Sequence, residues 1–175
     1  MTIPRRTFEA LLRPEVVALE GPLVAELAAL GIDVGALAPW SSVAALRDAI
    51  DAVRRAACGE RGVDEGFREV GRRFVQGFKR TTVGWIFSTM APAFGPDLTM
   101  QSMPRYLTSV RAAFPVTVVA EGDQRYRFLC PDPDINAFFM AGSVEVTLET
   151  CGVHDGRVQV VLKDVGFELE VRWPG

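Results

Sequence analysis

The chain has 175 residues, 49% of them hydrophobic and 23% charged, with 19 basic and 22 acidic side chains and a net charge of −3. A chain of that length and balance is expected to bury a core of its own, which excludes a disordered chain and one that depends on disulfide staples. The charge is too evenly matched to point to a nucleic acid partner, and no apolar run approaches the ~18 residues of a membrane span.

The opening MTIPRRTFEALLRP lacks the apolar run and cleavage site of a secretory leader. With three cysteines, Cys58, Cys130 and Cys151, and no CxxC pair, a reduced cytoplasmic protein is expected. Thr7 to Leu12 is short and can be read either as an edge strand or as a first helical turn before Pro14. Leu23, Leu27 and Leu30 share one face of a helix over 22–30, stopped by Gly31. Val43, Leu46, Ile50 and Val53 predict a second helix over 39–57, capped by Ser41 or Ser42. The strongest pattern covers 64–80: Phe67, Val70, Phe74 and Phe78 form an apolar stripe that includes Gly71, and Arg68, Arg72, Gln76 and Arg80 a polar one. Gly71 and Gly77 each weaken that helix by about 1 kcal/mol against Ala, so their expected gain is the close approach of another backbone. A further apolar helix is predicted over 82–90, ended by Pro92-Ala93-Phe94-Gly95-Pro96. Another is predicted over 97–113, with Pro104 as a kink.

After Phe114 the period changes from helical to alternating. Residues 116–120 and 125–130 predict a hairpin turned at Glu121-Gly122-Asp123-Gln124. A helix over 134–150 follows, with Asp132 or Asp134 as its cap. Strands over 157–162 and 167–173 close the chain. Phe167, Leu169, Val171 and Trp173 alternate with Glu168, Glu170 and Arg172, which predicts one wet and one buried face. The fold class expected is α+β: a single domain, 1–175, with a helical layer (about 14–113) on a four-stranded antiparallel sheet formed by a C-terminal ββαββ unit (about 114–174).

Few residues carry a chemical signal. His154 is the lone histidine, and in Cys151-Gly152-Val153-His154-Asp155-Gly156 it reads as a solvated turn residue. Cys151 and His154 are too few for a tetrahedral metal site, so no metal is expected. Asp132 and Asp134, each beside a proline, read as turn and cap residues. Gly71, Gly77 and Gly84 are spread along helices and make no phosphate loop. Arg68, Arg72, Arg73, Lys79 and Arg80 form the strongest basic group, which fits an anionic partner because guanidinium forks bind carboxylates and phosphates. Glu65 and Glu69 interleave with them, so a solvated helix face is the competing reading. Trp85, Phe87, Met90, Phe94, Phe138, Phe139 and Met140 read first as core, and the same set could also line an apolar cavity.

The runs Gly66-Phe67-Arg68-Glu69-Val70-Gly71-Arg72-Arg73-Phe74, Gly77-Phe78, Thr81-Thr82-Val83-Gly84, Met103-Pro104-Arg105-Tyr106 and the terminal Phe167 to Trp173 resemble, in order and spacing, a paralogous myxobacterial family of unknown function. That family is distantly similar to the ligand-binding fold shared by haem–nitric oxide sensors, vinyl-reductase-type domains and TRAPP-like trafficking subunits. The resemblance implies a sensor or interaction module, often dimeric, that in some members holds an apolar ligand. Haem sensors of this kind ligate iron through a histidine on the helix before the sheet. The helix over 97–113 has none, which argues against haem, and no cysteine here matches the one some trafficking subunits acylate.

The expectation is therefore a non-enzymatic cytoplasmic sensor or binding module with no cofactor, holding a small apolar ligand between helices and sheet. Phe74, Phe78, Trp85, Met90, Phe138 and Met140 are the expected lining. A homodimer or a protein partner is expected, with Arg68, Arg72 and Arg73 as the partner face, and neither nucleic acid nor a membrane span. The alternative is an interaction or scaffold subunit with no ligand. A haem gas sensor is disfavoured, as is an enzyme, which would need His154, Asp155 and Ser143 or Cys151 to converge.

Overall fold

A computed structural model of the chain describes residues 2–111 and 115–175. The elements run β1 (Thr2–Pro4), α1 (Arg5–Leu11), α2 (Gly21–Ala29), β2 (Trp40–Ser42), α3 (Val43–Cys58), α4 (Val63–Phe78), α5 (Thr82–Val110), β3 (Thr117–Gly122), β4 (Arg125–Cys130), α6 (Ala137–Thr150), β5 (Arg157–Leu162) and β6 (Phe167–Arg172). The class is α+β, with the four C-terminal strands in one antiparallel sheet of order β3-β4-β6-β5. Its inward residues Tyr126, Phe128, Cys130, Phe167, Leu169, Val171 and Trp173 are buried, as the alternation predicts.

Several local expectations are settled or corrected. The Thr7–Leu12 segment belongs to a helix, α1, whose Thr7 Oγ1 donates to the Val110 carbonyl at 2.6 Å and ties the N-terminus to the end of α5. Strand β1 pairs with β2 in a small second sheet not anticipated from the sequence. Three-residue strands are too short to show a period. Ser42 caps α3 by accepting from the Ala45 amide at 3.0 Å. The cap of α6 is Asn136, not Asp132 or Asp134: its Oδ1 accepts from the Phe138 and Phe139 amides at 3.0 Å each. Asp132 instead accepts from the Asp134 amide at 2.9 Å, an Asx turn that delays the helix.

The expected pair of helices around Pro92 to Pro96 is present as the two arms of α5, which meet at a kink at Gly95, whose φ of 73° and ψ of 172° lie outside helical space. A positive φ is cheap for glycine alone, and Pro96 then starts the second arm. The end expected for that arm, Ala113, lies outside the described residues. Tyr126 holds the arm to the sheet: its hydroxyl donates to Asp97 at 2.8 Å and accepts from Gln101 Nε2 at 3.1 Å. The ring stacks on Trp173 with centroids 5.5 Å apart.

Two apolar clusters form the interior. One gathers α1 to α4 and the other gathers the sheet, α6 and the second arm of α5. Helix α6 serves both, sending Val146 to the first and Met140, Ala141, Val144 and Leu148 to the second. Such a helix has little polar surface of its own, and it meets α4 at closer than side-chain distance. A Cβ built on Gly71 falls on the Phe139 carbonyl, 2.8 Å from its carbon, and one on Gly142 falls on the Arg68 carbonyl. The two glycines thus set the α4–α6 separation. The cavity described next lies beside that contact.

Candidate functional site: an apolar cavity among four helices

A cavity of about 460 Å³ opens between α3, α4, both arms of α5, the 131–136 loop and α6. That volume is ordinary for a small-molecule site. Val43, Leu46 and Ile50 come from α3, and Phe67, Phe74, Val75 and Phe78 from α4. Phe87, Met103, Tyr106, Leu107 and Val110 come from α5, and Phe139 and Met140 from α6. Helical spacing explains these sets, since residues three and four apart share a face. The rings pack on one another: Phe74 lies 5.3 Å from Phe139 and 6.0 Å from Phe78, and Phe87 meets Tyr106 edge-on at 4.4 Å.

No strand contributes to this lining; α6 stands between the space and the sheet. The structure therefore places the candidate space among the helices, rather than between helices and sheet as expected. Of the six expected lining residues, Phe74, Phe78 and Met140 face it. Trp85 (63% exposed) and Met90 (43% exposed) lie on the surface of the first arm of α5. Phe138 sits on a different face of α6, beside Arg68 and β5. Phe67, Met103, Tyr106, Leu107, Ile135 and Phe139 line the cavity and were not on that list. The spacing of 103, 106, 107 and 110 was the signal that could have found four lining positions.

Polar groups also line the space. Arg47 on α3 and Asp134 in the 131–136 loop pair at 3.1 Å, both about half exposed. Arg47 also holds Asp48 at 3.1 Å. Arg111, 3% exposed, binds the Asp132 carboxylate at 2.5 Å and forms part of the wall. Ser143 and Thr147 turn their hydroxyls to backbone carbonyls of α4 and α6, at 2.9–3.2 Å. Lys79, just past α4, also belongs to the lining; burial pushes its ammonium below the usual value, opposed by Glu149 and Cys151.

The arginine face is engaged within the chain. Arg68 and Arg72 both reach Glu145 on α6, Arg72 also reaches Glu149 at 2.7 Å, and Arg73 holds Glu69 at 2.7 Å. The Arg68 and Arg72 pairs stitch α4 to α6 around the glycine contact, whereas Arg73–Glu69 lies within α4. His154 is exposed in the turn after α6 and does not line the cavity. Ser143 is buried against α4, bonded to the Gly71 and Phe139 carbonyls. Burial pushes all three cysteine thiols up, which works against a reactive thiolate. No metal-binding group of three or more His, Cys, Asp or Glu occurs among the described residues. No helix among them is long and apolar enough to cross a membrane.

A family model described as a protein of unknown function, DUF2378, matches residues 1–174. No curated protein matches the chain. Among solved structures it is similar to a Cs H-NOX mutant carrying 4-cyano-L-phenylalanine, with TM-score 0.67 and 14% identity over 99% of this chain and 97% of that one. It is also similar to an unliganded Fe(II) H-NOX mutant from K. algicida, with TM-score 0.63 and 10% identity over 99% and 97%. A third is an oxygen-binding H-NOX domain related to soluble guanylate cyclases, with TM-score 0.62 and 13% identity over 97% and 92%. The fold is thus that of H-NOX domains. A haem held through an imidazole does not fit the residues present: α5 has no histidine, and the cavity lining has neither histidine nor cysteine.

Proposed function

The chain belongs to the DUF2378 family of proteins of unknown function, and from that membership, the H-NOX-like fold and the cavity we propose that it is a cytoplasmic, non-enzymatic sensor module for a small apolar ligand. The observation that carries this reading is the aromatic and thioether lining of a ~460 Å³ space inside a helical layer. Its groups supply shape and desolvation, and its hydroxyls are already spent on backbone carbonyls. Ligand binding without haem is the corollary, since the lining offers no imidazole or thiolate.

The test is mass spectrometry of the purified protein, native and then denatured, with an absorption spectrum of the same sample. A mass released on denaturation, with no visible band, is the expected result. Leu46→Trp, at a half-buried lining position, should reduce the released mass at least tenfold while stability stays within about 1 kcal/mol of wild type. Full occupancy in that variant would place the ligand elsewhere, and a visible band would overturn the haem-free corollary.

A second reading concerns assembly. Trp85, Ile86, Met90 and Phe94 are exposed on the first arm of α5, and no charged residue occurs from Thr81 to Pro96. Such a stripe can meet a second copy of itself without like-charge repulsion, so a homodimer is proposed on this face. Trp85→Glu with Met90→Glu is expected to shift the native mass from dimer to monomer. A wild type already monomeric at tens of micromolar would remove this reading.

A further inference from the structure

Three basic side chains reach the cavity wall, and two of them already hold carboxylates: Arg111 binds Asp132, and Arg47 binds Asp48 and Asp134. Lys79 differs from both. Among the described residues it forms no ion pair within 4 Å, and the Glu149 carboxylate that influences it is bound at 2.7 Å by Arg72. Phe78 and Phe87 line the same cavity. Lys79 also borders a surface depression formed with Gln76, Arg80, Thr81, Thr82 and Trp85. The residue is half-buried and belongs to both linings, so it stands between the apolar interior and solvent. An ammonium placed there gains from an anion that keeps part of its own hydration, and the apolar space beside it suits the anion's tail.

We propose that the cavity takes a singly anionic amphiphile, an alkyl carboxylate, with the carboxylate at Lys79 and the chain among Phe74, Phe78, Phe87 and Met103. The assignment rests on the apolar-ligand reading above and narrows it to one headgroup. The burial that lowers the lysine's proton affinity also makes a neighbouring carboxylate the group that restores it.

The experiment uses Nile red, a neutral apolar dye, as reporter in the full-length protein, displaced by decanoate or by decanol. Wild type should be displaced by decanoate at a roughly tenfold lower concentration than by decanol, the factor a single charge-assisted hydrogen bond supplies. Lys79→Met should remove that preference and leave decanol unchanged; Lys79→Arg should keep it. Equal displacement by both ligands in wild type, or a preference surviving in Lys79→Met, overturns the headgroup assignment and leaves the cavity reading standing. Nile red uptake that is absent, or insensitive to Leu46→Trp, overturns both.

Discussion

Gly71→Ala is expected to destabilise the protein by about 3 kcal/mol, even though alanine is the better helix former by about 1 kcal/mol. The two effects have opposite signs, so the measurement decides between them. Position 71 lies inside α4, where propensity alone predicts a gain. The added methyl would land on the Phe139 carbonyl, and that obstacle is the backbone of another helix, which no rotamer change can move aside. Relief requires α4 and α6 to separate, which would loosen Phe74 from Phe139 and the guanidinium contacts to Glu145. Gly142→Ala meets the Arg68 carbonyl from the other side and should behave alike. Gly21→Ala, with no atom within 4 Å of the new Cβ, is the control and should change stability by less than about 0.5 kcal/mol. Urea unfolding of the three variants is sufficient. A more stable Gly71→Ala protein would mean that the helices are not in contact at these glycines.

Asp132→Ala is expected to destabilise by about 3–5 kcal/mol, the range for removing one partner of a buried ion pair. The Arg111 and Asp132 side chains are 4% and 11% exposed, so solvent cannot take over the carboxylate's role. The substitution also releases the Asp134 amide and with it the turn that leads into α6. Replacing both members, Arg111→Met with Asp132→Ala, should recover part of the loss, because the buried guanidinium charge then disappears as well. A loss below about 1 kcal/mol in the single variant would show that this pair is solvated in solution. Arg111 forms part of the cavity wall, so the single variant should also weaken Nile red uptake.

How much of this was readable in the chain depends on whether polar residues phase the pattern. In α4 the arginines and phenylalanines alternate at helical spacing, so the pattern itself tells Phe74 and Phe78, which are buried, from the charged face. In α6 the run Ala137-Phe138-Phe139-Met140-Ala141 has no polar residue to say which side is inward. Phe138 was therefore chosen in place of its neighbour Phe139, and one position in a helix is a rotation of about 100°. The first arm of α5 fails for the same reason: Trp85 and Met90 look like interior residues, yet an uncharged helix gives no clue to its outer side. The partners of Arg68 and Arg72, Glu145 and Glu149, lie more than 70 positions away. Their pairing depends on the α4–α6 contact, so no local pattern reports it. The cap of α6 was misplaced because Asp132, Asp134 and Asn136 all have the right chemistry, and tertiary demand for Asp132 at Arg111 decided among them.

The break at Gly95 gives the cavity walls unequal stiffness. Helices α4 and α6 are held by backbone contact and by several guanidinium–carboxylate pairs, so neither can retreat from a larger guest. Helix α5 carries Phe87 on one arm and Met103, Tyr106 and Leu107 on the other, with a joint between them that has open space around it and three prolines along its length. Under the ligand reading proposed above, an occupant larger than the space is therefore expected to change the angle at that joint before it parts α4 from α6. The same element bears Trp85, Ile86, Met90 and Phe94 on its outer side, so the bulk of such an occupant would reach an exposed surface as a change in its attitude.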